Sequence, residues 1–508
     1  MSGASREPEK YSVEEMMERL KAKPSDVSLE RGELVTRADG TQVIRMRKRK
    51  RRSRQPHKER LERKARYRTL QVSLVLGLIV LIALGAGGLM IYANTSPYRD
   101  SLIAKVSAAT GAEISIRELR VNPLGAIASE ASLEWPSGNV VKSLELKALE
   151  AETYLSSFLG KNWSGDELRA RDGHLVFHSP EAGVPRRAEV SPNGTPPVTF
   201  NRIGISNARV TMGDPTASTF ELRDSDASFY PQGRSGHPQL QLGRGKVLIP
   251  GWPEYRLDRA FMEFRGDDVE VVSLRLLDPA GNRGSMILSG SLRPYADSAS
   301  SLSVRVEAFP LSGVVGPGVA NLVSATLETV ETANQNFLTV GPGAEGPGAL
   351  EIAFRAIPTS SVELRNFEFL KILAQRLDDP WFERPAFTDV ANGAVRREGE
   401  NVRLSLDVQS KGRMALKGEI LAGADFAMTG SLDVGLADAV VDASLEAKFS
   451  ELFARADDGF RWVTITLAGS TAMPKDSFRG ILESTAAASG SSTEPKVGPS
   501  FEELTSPR

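Results

Sequence analysis

His174 and His178 stand at i, i+4, a spacing that on a helix would turn two imidazoles toward one zinc ion. The stretch GHLVFHSP, bounded by Gly173 and Pro180, alternates like a strand, where four residues separate the rings by about 13 Å, too far to share a metal. Both read as exposed structural histidines. The other two, His57 and His237, fall in a basic cluster and a Gly/Pro loop, so no histidine is placed to serve as a catalytic base, and no Ser stands in a G-x-S-x-G elbow. Gly341-Pro-Gly343-Ala-Glu-Gly346 matches the dinucleotide fingerprint letter for letter, but Pro347-Gly348 and the alternating ALEIAF follow it. A phosphate site of that kind needs a helix N-terminus there; a loop between strands is the reading. Asp267-Asp268 and Asp457-Asp458 precede Val269 and Gly459-Phe460 and read as hairpin turns, with calcium as the alternative. Cysteine is absent, which excludes disulfides and thiolate metal sites. The residues call for no cofactor, no metal site and no catalytic residue, and a non-enzymatic protein is expected.

The elements around these residues explain more than the residues themselves. Between Arg45 and Arg68 lie 14 cations, Arg45, Arg47, Lys48, Arg49, Lys50, Arg51, Arg52, Arg54, Lys58, Arg60, Arg63, Lys64, Arg66 and Arg68, against only Glu59 and Glu62. Thirty residues without a charge follow, Thr69 to Tyr98. Their apolar heart, Val72 to Ala93, would span roughly 33 Å as a helix, the thickness of a bilayer's hydrocarbon core. Basic flanks stay on the cytoplasmic side, so the N-terminus is expected inside and everything after Ala93 outside. The 68 residues before the apolar run do not suit a cleavable signal peptide, and an uncleaved single-pass anchor is predicted. The cluster could instead be a nucleic-acid patch, but its position against a membrane segment and its lack of interleaved aromatics favour topology and anionic headgroups, so no nucleic-acid partner is expected. Residues 1–68 hold 21 Lys+Arg and 11 Asp+Glu, leaving 42 and 53 for the rest. The near-neutral total conceals a basic part and an acidic one.

Residues 1–68 read as a mostly disordered basic cytoplasmic tail and 69–95 as the transmembrane helix. Ser96-Pro97 opens a second short helix with Leu102, Ile103, Val106 and Ala109 on one face and Gly111 at its C-cap. From Glu113 the period becomes two: Leu302, Val304, Val306 and Ala308 alternate with polar residues, as do Val402, Leu404, Leu406 and Val408. Two runs change phase, at Leu144/Leu146/Ala148 to Leu149/Ala151/Thr153/Leu155 and at Ile203/Ile205 to Ala208/Val210/Met212, which predicts β-bulges. Phe367, Leu370, Leu373, Ala374 and Leu377 predict a helix ended by Asp378-Asp379-Pro380, and Phe449–Ala456 a weaker one. Residues 180–197 read as a Pro-rich excursion and 483–508 as a disordered tail.

Glycine recurs on the apolar face of four strands: Met286-x-Leu288-x-Gly290-x-Leu292, Met414-x-Leu416-x-Gly418-x-Ile420, Phe426-x-Met428-x-Gly430-x-Leu432 and Ile465-x-Leu467-x-Gly469-x-Thr471. Such glycines mark bends or bulges, or they leave room on the oily face for a guest. The pattern requires a large apolar sheet face to be buried with few helices to cover it. A sandwich or a groove would serve.

In its order of parts the chain resembles the AsmA-like proteins of bacterial inner membranes. The likeness lies in the basic N-terminus, the single membrane segment, the short helix of LIAKVSAATGAEISIREL (Leu102–Leu119), the long series of strands, and FEFLKILAQRL, GRMALKGEILAGADFAMTGSLDVGL and VTITLAGSTAMPKDSF (Val463–Phe478) near the end. The resemblance implies a mainly β fold: one N-terminal transmembrane helix, then a long, curved, largely antiparallel sheet over 96–482, groove or taco-like, with one or two short helices. It implies relation to bridge-like lipid-transfer proteins, a periplasmic location, and a part in phospholipid transfer or outer-membrane biogenesis, with the inner membrane, acyl lipids and other envelope proteins as partners. The expected groove lining is Met286, Leu288, Gly290, Leu292, Leu302, Val304, Val306, Val402, Leu404, Leu406, Met414, Leu416, Gly418, Ile420, Phe426, Met428, Gly430 and Leu432. Roughly twenty strands at about 4.8 Å each would make a sheet on the order of 100 Å long. The competing expectation is an envelope scaffold whose strands close into dry sandwich cores.

Overall fold

The structure, a computed structural model, describes residues 17, 33–45, 73–85, 87–88, 90–122, 125–136, 139, 141–154, 163–178, 198–214, 217–266, 268–278, 284–293, 299–331, 336–340, 348–444 and 447–490. It divides into two units, 1–83 and 84–508. Most of the basic cluster, the Pro-rich excursion and the Gly341–Gly346 motif lie outside the described residues.

In the first unit, where a mostly disordered tail was expected, the described residues form an antiparallel hairpin pairing Glu33–Thr36 with Gln42–Arg45. Asp39-Gly40 makes its turn: Gly40 takes φ +82, and the Thr41 hydroxyl donates to Asp39 over 2.7 Å. Ser73–Ala93 forms one helix of 21 residues with a mean hydropathy of 2.7, long and apolar enough to cross a membrane.

The second unit is mainly β, built on one large mixed sheet. Each strand pairs with its successor almost throughout, from the edge strands Glu113–Arg117 and Arg120–Asn122 to Phe460–Gly469 and Pro474–Asp476. The two ends do not pair with each other among the described residues, so the ladder is open, forking only where a strand is split. Pairing is antiparallel except between Trp163–Phe177 and Val198–Asp214, which run parallel. A parallel neighbour demands a crossover in place of a hairpin. A second break in the succession falls between Ser300–Glu307 and Phe337–Val340, which pair with each other; of the chain between them, Phe309–Pro310 and Thr326–Thr329 stay in the sheet while Ser312–Ala320 leaves it as a helix.

Both predicted phase changes are present, but only the second is a bulge. Lys147 and Ala148 are exposed in succession, Ala148 takes φ +51, and the inward set passes from Leu144 and Leu146 to Leu149, Ala151 and Thr153; the neighbouring strands keep register across this point, so the slip is shared and no residue is extra. The second falls at Ser206 and Asn207, both exposed, where the register shifts between Ile205 and Ala208. There the extra residue keeps apolar side chains on one face. The turn at Asp458-Gly459 has φ +52 and +78, the backbone that a tight hairpin requires.

The predicted helix after the anchor is Ser96–Thr110, with Gly111 left-handed at its cap. The one expected near Phe367 is Glu368–Leu377, ended by a left-handed Asp378. Other helical segments correct the sequence reading. Ser312–Ala320, kinked at Gly316-Pro317, and Asp438–Ala443 were not foreseen. The weaker candidate is the shorter Ala447–Leu452, followed by a strand at Arg455–Asp457. The stretch from 483, expected to be disordered, continues the helix Phe478–Gly490; residues 491–508 lie outside the described residues.

Candidate functional site

Register traces one apolar row across the sheet. Ile114 pairs with Leu133, Leu133 with Leu144, and Leu144 with Leu175. Leu175 then meets Val210, Val210 meets Leu222, and Leu222 meets Val247. Val247 lies beside Tyr255, and Leu257, Leu276, Met286 and Val306 carry the face onward. Side chains alternate across a strand, so this is a single continuous surface. Its two halves differ in what lies over it.

Along the first strands the face is only half-buried. In Glu113–Arg117 exposed residues alternate with half-buried ones, and Leu133, Leu144, Leu149, Leu168, Leu175, Ile203, Ile205 and Val210 are all half-buried. Complete burial there is mostly confined to small residues such as Ala131, Ala151, Ala170 and Ala208. Apart from the helix that follows Ala93, whose Tyr98 and Leu102 pack in one cluster with Leu168 and Ile203, no second layer of described residues covers this stretch.

From Leu222 onward the same face is covered, with Leu222, Val247, Tyr255, Leu257 and Leu276 at most 6% exposed. Val306, Leu404, Met414, Leu416, Ile420 and Leu432 are 0% exposed, and Met286, Leu288, Leu302, Val304, Val402, Leu406 and Met428 nearly so. They pack in one core with Phe309, Leu311, Val314 and Leu322 from the excursion after Ser300–Glu307, with Phe367, Phe369, Leu370, Phe382 and Phe387, and with Phe449, Phe453 and Phe478. Five of these rings form a chain, Phe449–Phe453–Phe478–Phe369–Phe367, at centroid separations of 5.0, 6.2, 6.5 and 5.5 Å. Asp476 binds two of the covering helices at their starts, its carboxylate accepting from the Phe369 N–H at 2.9 Å and the Phe478 N–H at 3.2 Å. Burial pushes its pKa up.

The expected lining of an open groove is corrected accordingly. These apolar side chains do share a face, but from Met286 to Leu432 that face is the floor of a closed core, because chain between the strands folds back over it; Leu292 is only half-buried at the edge. Phe426 is not on the face at all: it sits in a turn at φ +60, 61% exposed. The glycines do not leave a notch for a guest. A Cβ at Gly418 would collide with the carbonyl oxygen of Ser431, and one at Gly430 with that of Glu419, so Gly418 and Gly430 allow close approach of backbones. The missed signal was the phenylalanines outside the alternating runs, since a large apolar residue in a connection needs a surface to cover.

The half-open part begins where the apolar helix ends. The Asn94 side chain donates to the Val121 carbonyl at 2.9 Å and accepts from the Val121 N–H at 2.8 Å, in the manner of a paired strand. Ala93, Val121, Ala126, Ala151, Trp163 and Phe200 form a small core there. The Tyr98 and Trp163 rings lie 6.4 Å apart, and the indole N–H donates to the Tyr98 hydroxyl. Beside this core a cleft of 640 Å³ runs between Ile103, Ala104 and Ser107 of the short helix and Ile114, Glu134 and Trp135 of the sheet.

The opposite face is polar and charged. Arg209 and Arg223 converge on Glu221, each at 2.5 Å, and their hydrogen bonds, that of Arg223 first, hold its carboxyl below the usual range. His174 lies on the strand Trp163–Phe177 as expected, 3.0 Å from the Thr211 hydroxyl, and burial lowers its pKa. Among the described residues no group of three or more His, Asp or Glu is placed to hold a metal.

Comparisons with family models, with curated proteins and with solved structures return no match.

Proposed function

We propose that this is a membrane-anchored protein of the AsmA-like kind that receives lipid acyl chains on the half-open apolar face and serves phospholipid transfer or outer-membrane biogenesis. In this reading the basic cluster holds the N-terminus in the cytoplasm, the helix Ser73–Ala93 spans the inner membrane, and the sheet stands in the periplasm. The observation that carries it is the row Ile114, Leu133, Leu144, Leu175 and Val210, apolar and only half-buried, starting at the sheet edge that is joined to the end of the apolar helix. Each methylene that leaves water there contributes about 0.8 kcal/mol, so a chain of a dozen carbons offsets the entropy of its own ordering without any catalytic group.

The closed core from Leu222 onward favours a second reading, an envelope scaffold with a dry interior. Lipid extraction separates the two. The full chain is purified in mild detergent and its bound lipids measured by mass spectrometry, beside Leu144→Glu and Leu175→Glu. Co-purified phospholipid that both variants lose supports the first reading. A lipid-free protein that also excludes a fluorescent acyl probe supports the scaffold.

A further inference from the structure

The half-open face and the filled core meet at a junction with its own architecture. The loop between Lys246–Leu248 and Tyr255–Arg265 brings Gly251 and Trp252 to Arg397, which belongs to the distant strand Val390–Glu398. Arg397 is 3% exposed, and no carboxylate among the described residues forms an ion pair with it. Its charge is satisfied by carbonyls instead: Nη1 donates to Val314 at 2.8 Å, Nη2 to Gly251, and Nε to Gly399 at 3.1 Å. The guanidinium lies over the Trp252 ring, 5.2 Å from its centroid, and burial lowers its pKa. Tyr255, fully buried on the neighbouring strand, donates its hydroxyl to the Gly313 carbonyl at 2.9 Å. The kinked helix Ser312–Ala320 is thereby tied to both walls, by Arg397 from one and Tyr255 from the other.

A buried cation without a counter-ion is costly, and as packing alone an apolar side chain would serve better. What Arg397 supplies is reach. Five donors in a rigid fork bind carbonyls of three separate segments at once.

We propose that this junction is a stop that makes the half-open face a blind compartment, with Arg397 as the positioning residue that keeps the stop shut. The proposal rests on the lipid reading above and narrows it. From Ile114 to Val210 the half-buried row crosses four strand spacings, roughly 20 Å, and beyond it Leu222, Leu242 and Val247 already belong to the filled core. That is little more than one leaflet of hydrocarbon, about 15 Å. The compartment holds one or two lipids. A continuous file of lipids along the entire sheet does not fit it.

Two measurements on the full chain in lipid nanodiscs test this. In the first, nanodiscs containing a phospholipid with a diazirine on its acyl chain are irradiated and the labelled peptides mapped. Labels confined to the strands between 113 and 214 are expected, extending past 286 in Arg397→Met. Labels on both sides of the junction in the unaltered protein overturn the stop and leave the lipid reading standing, whereas no label on any strand overturns both. The second needs no lipid probe and exploits the absence of native cysteine. Val319→Cys, on the tied helix, is expected to react with a maleimide at least tenfold faster when Arg397→Met is added, while Leu416→Cys, in the filled core, keeps its rate. An unchanged rate at position 319 refutes the positioning role, and an equal rise at 416 refutes it too, by making Arg397 a brace of the whole core.

Discussion

Leu416 and Leu144 lie on the same apolar face of the same sheet, yet the structure assigns them opposite sensitivities. Leu416 is 0% exposed and packs in the core closed by the phenylalanine-bearing connections, so Leu416→Ala loses its transfer free energy and leaves a cavity, together about 2–5 kcal/mol. Leu144 is half-buried between Leu133 and Leu175 with no described layer above it. Its truncation removes about half of a leucine's buried area and opens no cavity, about 1 kcal/mol at 25 cal/mol per Å². A charge sharpens the contrast. Leu416→Glu strands a carboxylate in a dry core and is expected to unfold the second unit, as are Leu404→Glu and Met428→Glu, while Leu144→Glu turns its carboxylate to water and folds. Urea titration followed by tryptophan fluorescence in one detergent measures all of these. Equal costs for the two alanine variants, or a folded Leu416→Glu, would refute the division of the face into covered and uncovered parts.

The join between the apolar helix and the sheet depends on Asn94, so Asn94→Ala is expected to leave the Val121 backbone groups unpaired at about 1–3 kcal/mol, seen as faster amide exchange at Val121 with the distant core unchanged. Asp476→Ala removes two helix-start bonds and is expected to cost about 1–3 kcal/mol, with the added exposure confined to Phe369 and Phe478 in hydrogen exchange; Asp476→Asn keeps one acceptor oxygen but turns its amide nitrogen toward the other N–H, so it should protect only one of the two helix starts. Glu221, whose carboxyl is held low by Arg223 and Arg209, contributes stability that is complete above the unfolded value of about 4.3 and is lost as the pH falls through its lower folded value. Unfolding free energies measured from pH 6 to pH 3 should therefore fall less steeply in Glu221→Gln; identical slopes would remove Glu221 from the acid response.

The strand-rich architecture was legible because alternation is local. So were the phase changes at Ala148 and Ser206-Asn207, where the apolar set slips by one residue, and the turn at Asp458-Gly459 could be read from its residue types; the hairpin turn at Gly40 was not, because the polar residues around it look like a tail. The parallel pair was not, since nothing within Trp163–Phe177 or Val198–Asp214 declares the direction of a neighbour. Nor was the closure of the face. LSGVVGPGVAN looks like a loop because Gly316 and Pro317 disfavour a helix, yet Val314, Val315 and Val319 bury it against the sheet and packing prevails over propensity. Residues such as Leu404 were assigned correctly to an apolar face, but whether protein or ligand covers a face depends on contacts far along the chain. Arg397 was invisible for the same reason: in sequence it is one of two adjacent arginines before an acidic turn, and only the fold brings Gly251, Trp252 and Val314 to it.

A cryo-electron microscopy map of the full chain in a lipid nanodisc tests the central claim most directly. The account predicts elongated acyl density over Leu133, Leu144 and Leu175, ending before Trp252 and Arg397. Protein density filling that surface instead would contradict it.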